Sequence, residues 1–364
     1  MRTKQVWRTG LLLAAALSLG LTGCGTAGGQ KESKQDSMTV LTIGTADSGG
    51  SMYPIGSAIA QAITDADSTV KVNISASTGS TMNVEALAAG EIDLGLVSGD
   101  VAYSAYYGQD VFEQPVEGLR AVAAVDTSVS TWLAPVSTGA VYVHDLVGMS
   151  VGIGPQTSST ELSARIAVDV LDLDREGTQL ENCALGAAVE RVDGVDLDAI
   201  HGFSGSPIPG LTELAQKRSC TVRRYDQQEL EDILARNSCY YRVTIPAGTY
   251  PGQEEDVESF GVKCLLCVSE DMDEEQVYRL TKALWESRET LAQSHPALKE
   301  MLQEGFMDQN LPIPLHPGAQ RFYEEMSHQG AVGHFDKMDT CFSEKRGDFT
   351  QKPPGFALFY MDLT

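Results

Sequence analysis

Val40-Leu-Thr-Ile-Gly-Thr-Ala-Asp-Ser-Gly-Gly-Ser-Met-Tyr-Pro-Ile-Gly56 reads as a strand, a polar loop and a helix in immediate succession. Leu41 to Ile43 is a short apolar run. Gly44 to Ser51 holds only small and polar residues, of the kind that make turns. A helix follows over Tyr53–Ile63: Pro54 stands in its first turn, where the missing N–H costs nothing, and Ile55, Ala58, Ile59 and Ile63 share one face. The unit then repeats. Val70 to Ile74 alternates like a strand, Ser75 to Thr81 is polar, and Met82 to Ala89 is helical, with Gly90 placed to stop it. Ile92 to Val97 is another strand, ending at Ser98-Gly-Asp100.

A second set lies further along. Val151 to Gly154 predicts a strand, Pro155 to Thr160 a polar loop, and Glu161 to Leu173 a helix. Val195 to Ile200 predicts a strand that leads into the polar segment Gly202-Phe-Ser-Gly-Ser-Pro207. Thr221 to Tyr225 is a further strand, followed by a helix over Gln227–Arg236. Val262 to Val268 and the amphipathic stretch Asp273 to Ala292 are expected to return to the first set. Strand–helix alternation of this kind gives an α/β fold built on parallel strands with right-handed crossovers.

Three of these loops share one design: each leaves a strand's carboxyl end and enters a helix. Ligands in open α/β sheets sit at that end of the strands. A helix amino end offers unpaired N–H groups and about half a positive charge. Gly49-Gly-Ser51, Gly79-Ser-Thr81 and Ser158-Ser-Thr160 add hydroxyls beside those groups. A carboxylate could therefore be held by uncharged donors alone. Taken singly, each loop could equally be a glycine turn with a serine cap.

Composition narrows the partners. The chain has 364 residues, 26 basic and 50 acidic, for a net charge of −24. Nucleic acid is excluded, since phosphate binding needs clustered Lys and Arg. A diffuse acidic surface does not bar an anionic solute, because it is screened beyond roughly 10 Å while donors act at about 3 Å. The opening residues read as a secretory signal over 1–23: Arg2, Lys4 and Arg8 precede an apolar run from Leu11 to Leu19, too short to span a bilayer. It ends at Leu21-Thr-Gly-Cys24, which resembles a bacterial lipobox, so Cys24 is the expected lipidation site. Residues 24–38 are polar and expected to form a flexible tether.

Other chemistries fit poorly. Gly202-Phe-Ser-Gly-Ser206 approaches a nucleophile elbow but ends in Ser rather than Gly, and His201 is expected on the opposite face of the segment. No phosphate-binding loop, dinucleotide fingerprint or paired histidines mark a cofactor or metal. Cys183, Cys220, Cys239, Cys264, Cys267 and Cys341 leave disulfides open; Cys264 and Cys267, on one predicted strand, should point to opposite faces rather than share a metal.

Several longer motifs carry a family resemblance. Ile43 to Gly56, Gly90-Glu-Ile-Asp-Leu-Gly-Leu-Val97 with Asp100-Val-Ala-Tyr103, Thr244-Ile-Pro-Ala-Gly-Thr-Tyr-Pro-Gly252 with Glu255-Asp-Val257, and Leu311-Pro-Ile-Pro-Leu-His-Pro-Gly-Ala319 resemble the TAXI family, the solute receptors of tripartite ATP-independent (TRAP) transporters. The likeness runs from about Leu41 to Tyr323. It implies a type II periplasmic-binding-protein fold: two lobes, a ligand cleft and two hinge crossovers. The lobes would be 39–130 with the return 260–326, and 131–259, leaving 327–364 as a C-terminal extension. The resemblance maps the ligand-binding role onto Ser48, Ser51, Tyr53, Ser80, Asn83, Ser158, Ser159, Thr160, Ser204 and Ser206. It implies a glutamate-, glutamine- or dicarboxylate-like solute, TRAP permease subunits as partners, no cofactor, no catalysis, and a monomer held at the extracytoplasmic membrane face by its lipid. Met52, Asp47 and Ser98 depart from the family's usual residues, and Asp47 adds an anion beside the site. A sensor lipoprotein presenting solute to a membrane kinase, or an extracytoplasmic hydrolase, are the alternatives.

Overall fold

The computed structural model describes residues 38–328. The signal peptide, Cys24, the tether up to Ser37, Cys341 and the tail beyond His328 lie outside them. Three parallel strands come first: β1 (Thr39–Gly44) lies between β2 (Val70–Ser75) and β3 (Leu94–Ser98). They are linked by α1 (Met52–Ala66) and α2 (Ser80–Ala88). α3 (Gly99–Tyr107) follows β3 directly, so Gly99 and Asp100, where the predicted strand ends, open a helix. A second parallel group is built from β5 (Ser150–Gly152) flanked by β6 (Gln179–Glu181) and β7 (Ala199–Gly205). Its helices are α4 (Ser159–Leu171), α5 (Leu185–Asp193) and α6 (Pro209–Lys217).

Two long strands join the groups. β4 (Leu119–Pro135) and β10 (Val257–Ser269) pair antiparallel with each other, and β10 also pairs with β3 while β4 pairs with β7. Three further elements, β8 (Cys220–Val222), α7 (Gln227–Arg236) and β9 (Tyr241–Ile245), complete the second group, and α8 (Glu274–Ser294) returns to the first. The result is one sheet in the order β2-β1-β3-β10-β4-β7-β5-β6, with β8 on β4 and β9 on β10. The expected parallel sheet thus holds within each group, but antiparallel strands bridge them.

Side-chain packing makes this one sheet into two lobes. Val122, Ala123 and Val125 of β4 pack with Ile43, Ile59 and Leu284 of the first group. Further along the same strand, Trp132 and Ala134 pack with Ile153, Ala164 and Phe203 of the second. β10 does the reverse: Phe260 and Val262 belong to the second core, and Cys264, Leu266 and Val268 to the first. The chain therefore crosses between lobes twice, in the manner of the type II binding-protein fold. The expected boundaries 130/131 and 259/260 fall inside these strands. Cys264 and Cys267 enter separate cores on opposite faces of β10, as their spacing requires. Cys183, Cys220, Cys239, Cys264 and Cys267 are all free thiols.

One strand is misplaced by sequence. Val195 lies in an exposed turn with φ +69°, and β7 starts only at Ala199 and runs through Ser204 and Gly205. Those polar residues stay in the strand because Ser204 and Gly205 pair with Val129 and Ser128 of β4. Among the described residues no helix is long and apolar enough to cross a membrane.

Candidate functional site

The carboxyl ends of β1, β2, β5 and β6 hand over to four helix amino ends at one interlobe cavity, and the end of β7 adds Phe203 and Ser204 to its wall. Gly50 and Met52 open α1, Gly79 precedes α2, Ser158 and Ser159 open α4, and Leu185 opens α5; all line a cavity of 30 Å³. That volume admits a water molecule or two. Gly79 adopts φ +128°, and a Cβ there would stand 3.4 Å from the Ser158 Cβ across the cleft. At this positive φ a side chain would strain the backbone, although its Cβ would only touch the facing lobe.

The lobes touch through polar contacts. Ser51 N–H donates to Ser204 Oγ at 3.2 Å, and the Ser51 hydroxyl donates to the Gly205 carbonyl. Thr81 Oγ1 donates to the Thr157 carbonyl at 2.6 Å, and Gly210 N–H donates to the Gly49 carbonyl at 2.9 Å. Ser80 and Ser159 hydroxyls face each other at 3.4 Å, and Ser80 Oγ also accepts from Ser98 N at 2.9 Å. A neutral hydroxyl that can both donate and accept suits a surface that must re-pair when the lobes part.

The sequence-expected residues divide. Ser158, Ser159, Thr160 and Ser204 line the cavity, with Ser51 and Ser80 fully buried just behind its wall. Asn83 is buried and spends its amide on Thr45 and Leu96 carbonyls, both at 2.8 Å, while its oxygen accepts from Ser77; its geometry tethers the first two loops. Ser48 is exposed, and Tyr53 is partly exposed on α1; neither lines the cavity. Ser206 lines a different groove of 510 Å³, formed with Thr127, Glu300 and the Thr244–Thr249 segment. Phe203 and Leu185 line the cavity without having been singled out. Leu185 starts a helix whose N-cap, Ala184, carries no capping side chain, so no signal marked it.

Buried titratable groups support the walls. His201 donates from Nδ1 to the Thr160 carbonyl at 3.2 Å, and its Nε2 pairs with Ser130 Oγ at 3.0 Å. Burial lowers its pKa to about 3, which keeps the ring neutral. With both ring nitrogens engaged, His201 holds the start of α4 and is not paired with Ser204. Asp100 is held by Ser98 Oγ at 2.5 Å, Val101 N–H at 2.9 Å and Tyr240 OH at 2.8 Å. Burial raises its pKa, and these bonds oppose the rise. Tyr240 packs in the second core, so its bond to Asp100 also spans the lobes. Glu161, in the first turn of α4, accepts from Thr157 N–H at 2.5 Å and pairs with Arg165 at 2.9 Å.

Among the described residues, His144, Asp226 and Glu229 bring ligand atoms within 4.8 Å of one another. A reciprocal cap explains the cluster: Asp226 Oδ1 accepts from Glu229 N–H, Glu229 Oε2 accepts from Asp226 N–H, and His144 Nδ1 bonds Glu229 Oε1 at 2.6 Å. The positive end of α7 at this point opposes a cation.

Residues 43–326 match the NMT1-like family, and the chain belongs to that family. Among solved structures it is similar to the periplasmic aliphatic sulphonate binding protein SsuA from Escherichia coli, at 16% identity over 79% of this chain and 84% of that one, with a TM-score of 0.44. It is also similar to an ancestral arginine-binding protein bound to arginine, at 13% identity over 72% and 96%, with a TM-score of 0.45. A third likeness is to GshT of Streptococcus mutans, described in glutathione import, at 11% identity over 72% and 95%, with a TM-score of 0.46.

Proposed function

We propose that this NMT1-like protein is an extracytoplasmic solute-binding subunit that captures a small carboxylate-bearing molecule for a membrane transporter. One observation carries the reading. Four helix amino ends and the hydroxyls beside them converge on a single cavity between two lobes, and among the described residues its lining contains no Lys or Arg. Such a site favours a compact anionic group and offers no nucleophile–base pair for bond chemistry.

The cavity is smaller than any amino acid, so solute entry requires the lobes to part. Among the described residues, β4 and β10 are the only strands shared by both cores, and bending there separates the loops of α1 and α2 from those of α4 and α5. On closure the hydroxyls trade interlobe bonds for bonds to the solute, and exclusion of water strengthens each one. We assign Ser51, Ser80, Ser158, Ser159, Thr160 and Ser204 to solute contact. Asn83 and Ser206 shape the loops, and Ser48 and Tyr53 lie at the rim. The partner we propose is a permease of the TRAP type, driven by an ion gradient, a reading that rests on the Thr244–Gly252 and Leu311–Ala319 motifs. Anchoring follows from acylation of Cys24 and would be lost in Cys24→Ser, which should free the protein from membranes.

Calorimetry with a panel of amino acids and dicarboxylic acids tests the site. At least one should bind, and Ser80→Ala combined with Ser159→Ala should weaken it at least tenfold. Unchanged affinity in that double variant refutes the site assignment.

A further inference from the structure

We infer that Asp47 makes the cleft select zwitterionic α-amino acids with uncharged side chains and reject dicarboxylates. The inference rests on the solute-binding reading above and names its substrate class. Among the described residues, Asp47 is the only ionisable one lining the interlobe cavity. Its carboxyl is not free to swing away: Oδ1 accepts from Gly49 N–H at 2.9 Å, while Gly50 N–H donates to the Asp47 carbonyl at 3.1 Å. The loop thus presents one fixed negative charge to the cavity.

The opposing positive field is modest and can be bounded. α1, α2 and α5 carry no acidic residue in their first turns, so their amino ends are uncompensated, at about half a charge each. α4 carries Glu161, whose carboxylate takes up part of that end through Thr157 N–H. Against Asp47, these ends leave a surplus that accommodates one carboxylate but not two. A ligand ammonium has one partner here, the Asp47 carboxylate, and a ligand carboxylate has the helix ends. A second carboxylate would share the closed cleft with Asp47 and no basic side chain. Two like charges about 5 Å apart at a protein-surface dielectric disfavour binding on the order of a hundredfold. Met52, Leu185 and Phe203 supply an apolar wall for the remaining side chain.

The test uses titration calorimetry on the full chain with L-alanine, L-serine, L-glutamine and L-leucine, the desamino analogue of each, and succinate and 2-oxoglutarate. At least one amino acid should bind the wild type a hundredfold more tightly than either dicarboxylate, and at least tenfold more tightly than its own desamino analogue. Asp47→Asn should weaken that amino acid tenfold or more and bring the dicarboxylates to within a few-fold of it. The desamino comparison needs no variant, so it decides the matter even if Asp47→Asn folds poorly. Equal binding of dicarboxylates and amino acids by the wild type, or a selectivity ratio unmoved in Asp47→Asn, overturns the inference and means that Asp47 only seats its loop against α5. The site reading survives that result if Ser80→Ala with Ser159→Ala still weakens whatever binds, and falls with the inference if nothing binds.

Discussion

Replacing Gly49 with Ala should wedge the two lobes apart without damaging either. The added Cβ would stand 2.6 Å from the backbone nitrogen of Gly186 and 3.1 Å from its Cα, in the first turn of α5 on the facing lobe. Backbone cannot swing aside as a side-chain tip can. Relaxing from 2.6 Å to an ordinary 3.4 Å contact requires about 0.8 Å of separation at that point. The Gly210 N–H to Gly49 O bond, at 2.9 Å, would stretch past hydrogen-bonding range, as would the 3.2 Å bond from Ser51 N–H to Ser204 Oγ. Two net bonds are worth about 1–3 kcal/mol. The open form should then gain roughly 5- to 150-fold over the closed form. Gly49 does not have a positive φ, so alanine brings no backbone strain of its own. Small-angle scattering should show a larger radius of gyration for Gly49→Ala, with a melting temperature close to wild type because both cores are intact. Gly186→Ala is the matched control: its Cβ meets nothing within 4 Å, and within α5 it should stabilise by roughly 0.5–1 kcal/mol. If Gly49→Ala keeps the wild-type radius of gyration, the contact between the first loop and α5 is not what holds the lobes together.

Tyr240→Phe removes one of three donors to the buried Asp100 and should cost about 1.5–3 kcal/mol, read as a lower urea midpoint; an unchanged midpoint would show that Ser98 and Val101 suffice. His201 and Asp126 should tilt stability in opposite directions. The His201 pKa falls from 6.5 to about 3 on folding, so the unfolded chain alone takes up the proton in that window and stability drops as pH falls through it, by roughly 4–5 kcal/mol in full. Burial, with Glu300 nearby, raises the Asp126 pKa from 3.8 to about 7, so the folded chain keeps a proton the unfolded one releases, and stability drops as pH rises across that range. Asp126→Asn should therefore raise the urea midpoint by the equivalent of about 1 kcal/mol or more at pH 8 and far less at pH 4; equal effects at both pH values would contradict the assignment.

Much of the first lobe was legible because local signals agreed. In β1–α1 and β2–α2, apolar periodicity and a polar loop named the same elements, and Gly90 added a stop signal to the second. The crossover strand β4 escaped because Asp126, Thr127, Ser128, Ser130 and Thr131 interrupt its apolar run; they are buried only because β10 and β7 lie on either side. No helix is predicted from sequence after β3, yet Asp100 stands in the first turn of α3 with its carboxylate on Val101 N–H. At the site, residue type pointed to the right loops but not to the direction of each side chain. Asn83 turns inward to the backbone and Ser206 faces another groove, because those directions depend on partners 13 to 44 residues away. Phe203 and Leu185 gave no polar signal at all.

The interleaving of β10 between β3 and β4 has a temporal consequence. The amino-terminal third of the chain contains β1, β2 and β3, yet the neighbour that covers β3 is encoded more than 150 residues later. Until Val257–Ser269 has been synthesised, β3 presents an open backbone edge flanked by Leu94, Leu96 and Val97. Neither lobe can therefore mature as a nascent fragment, and a chain cut short before β10 should aggregate or be degraded rather than persist as a half-protein.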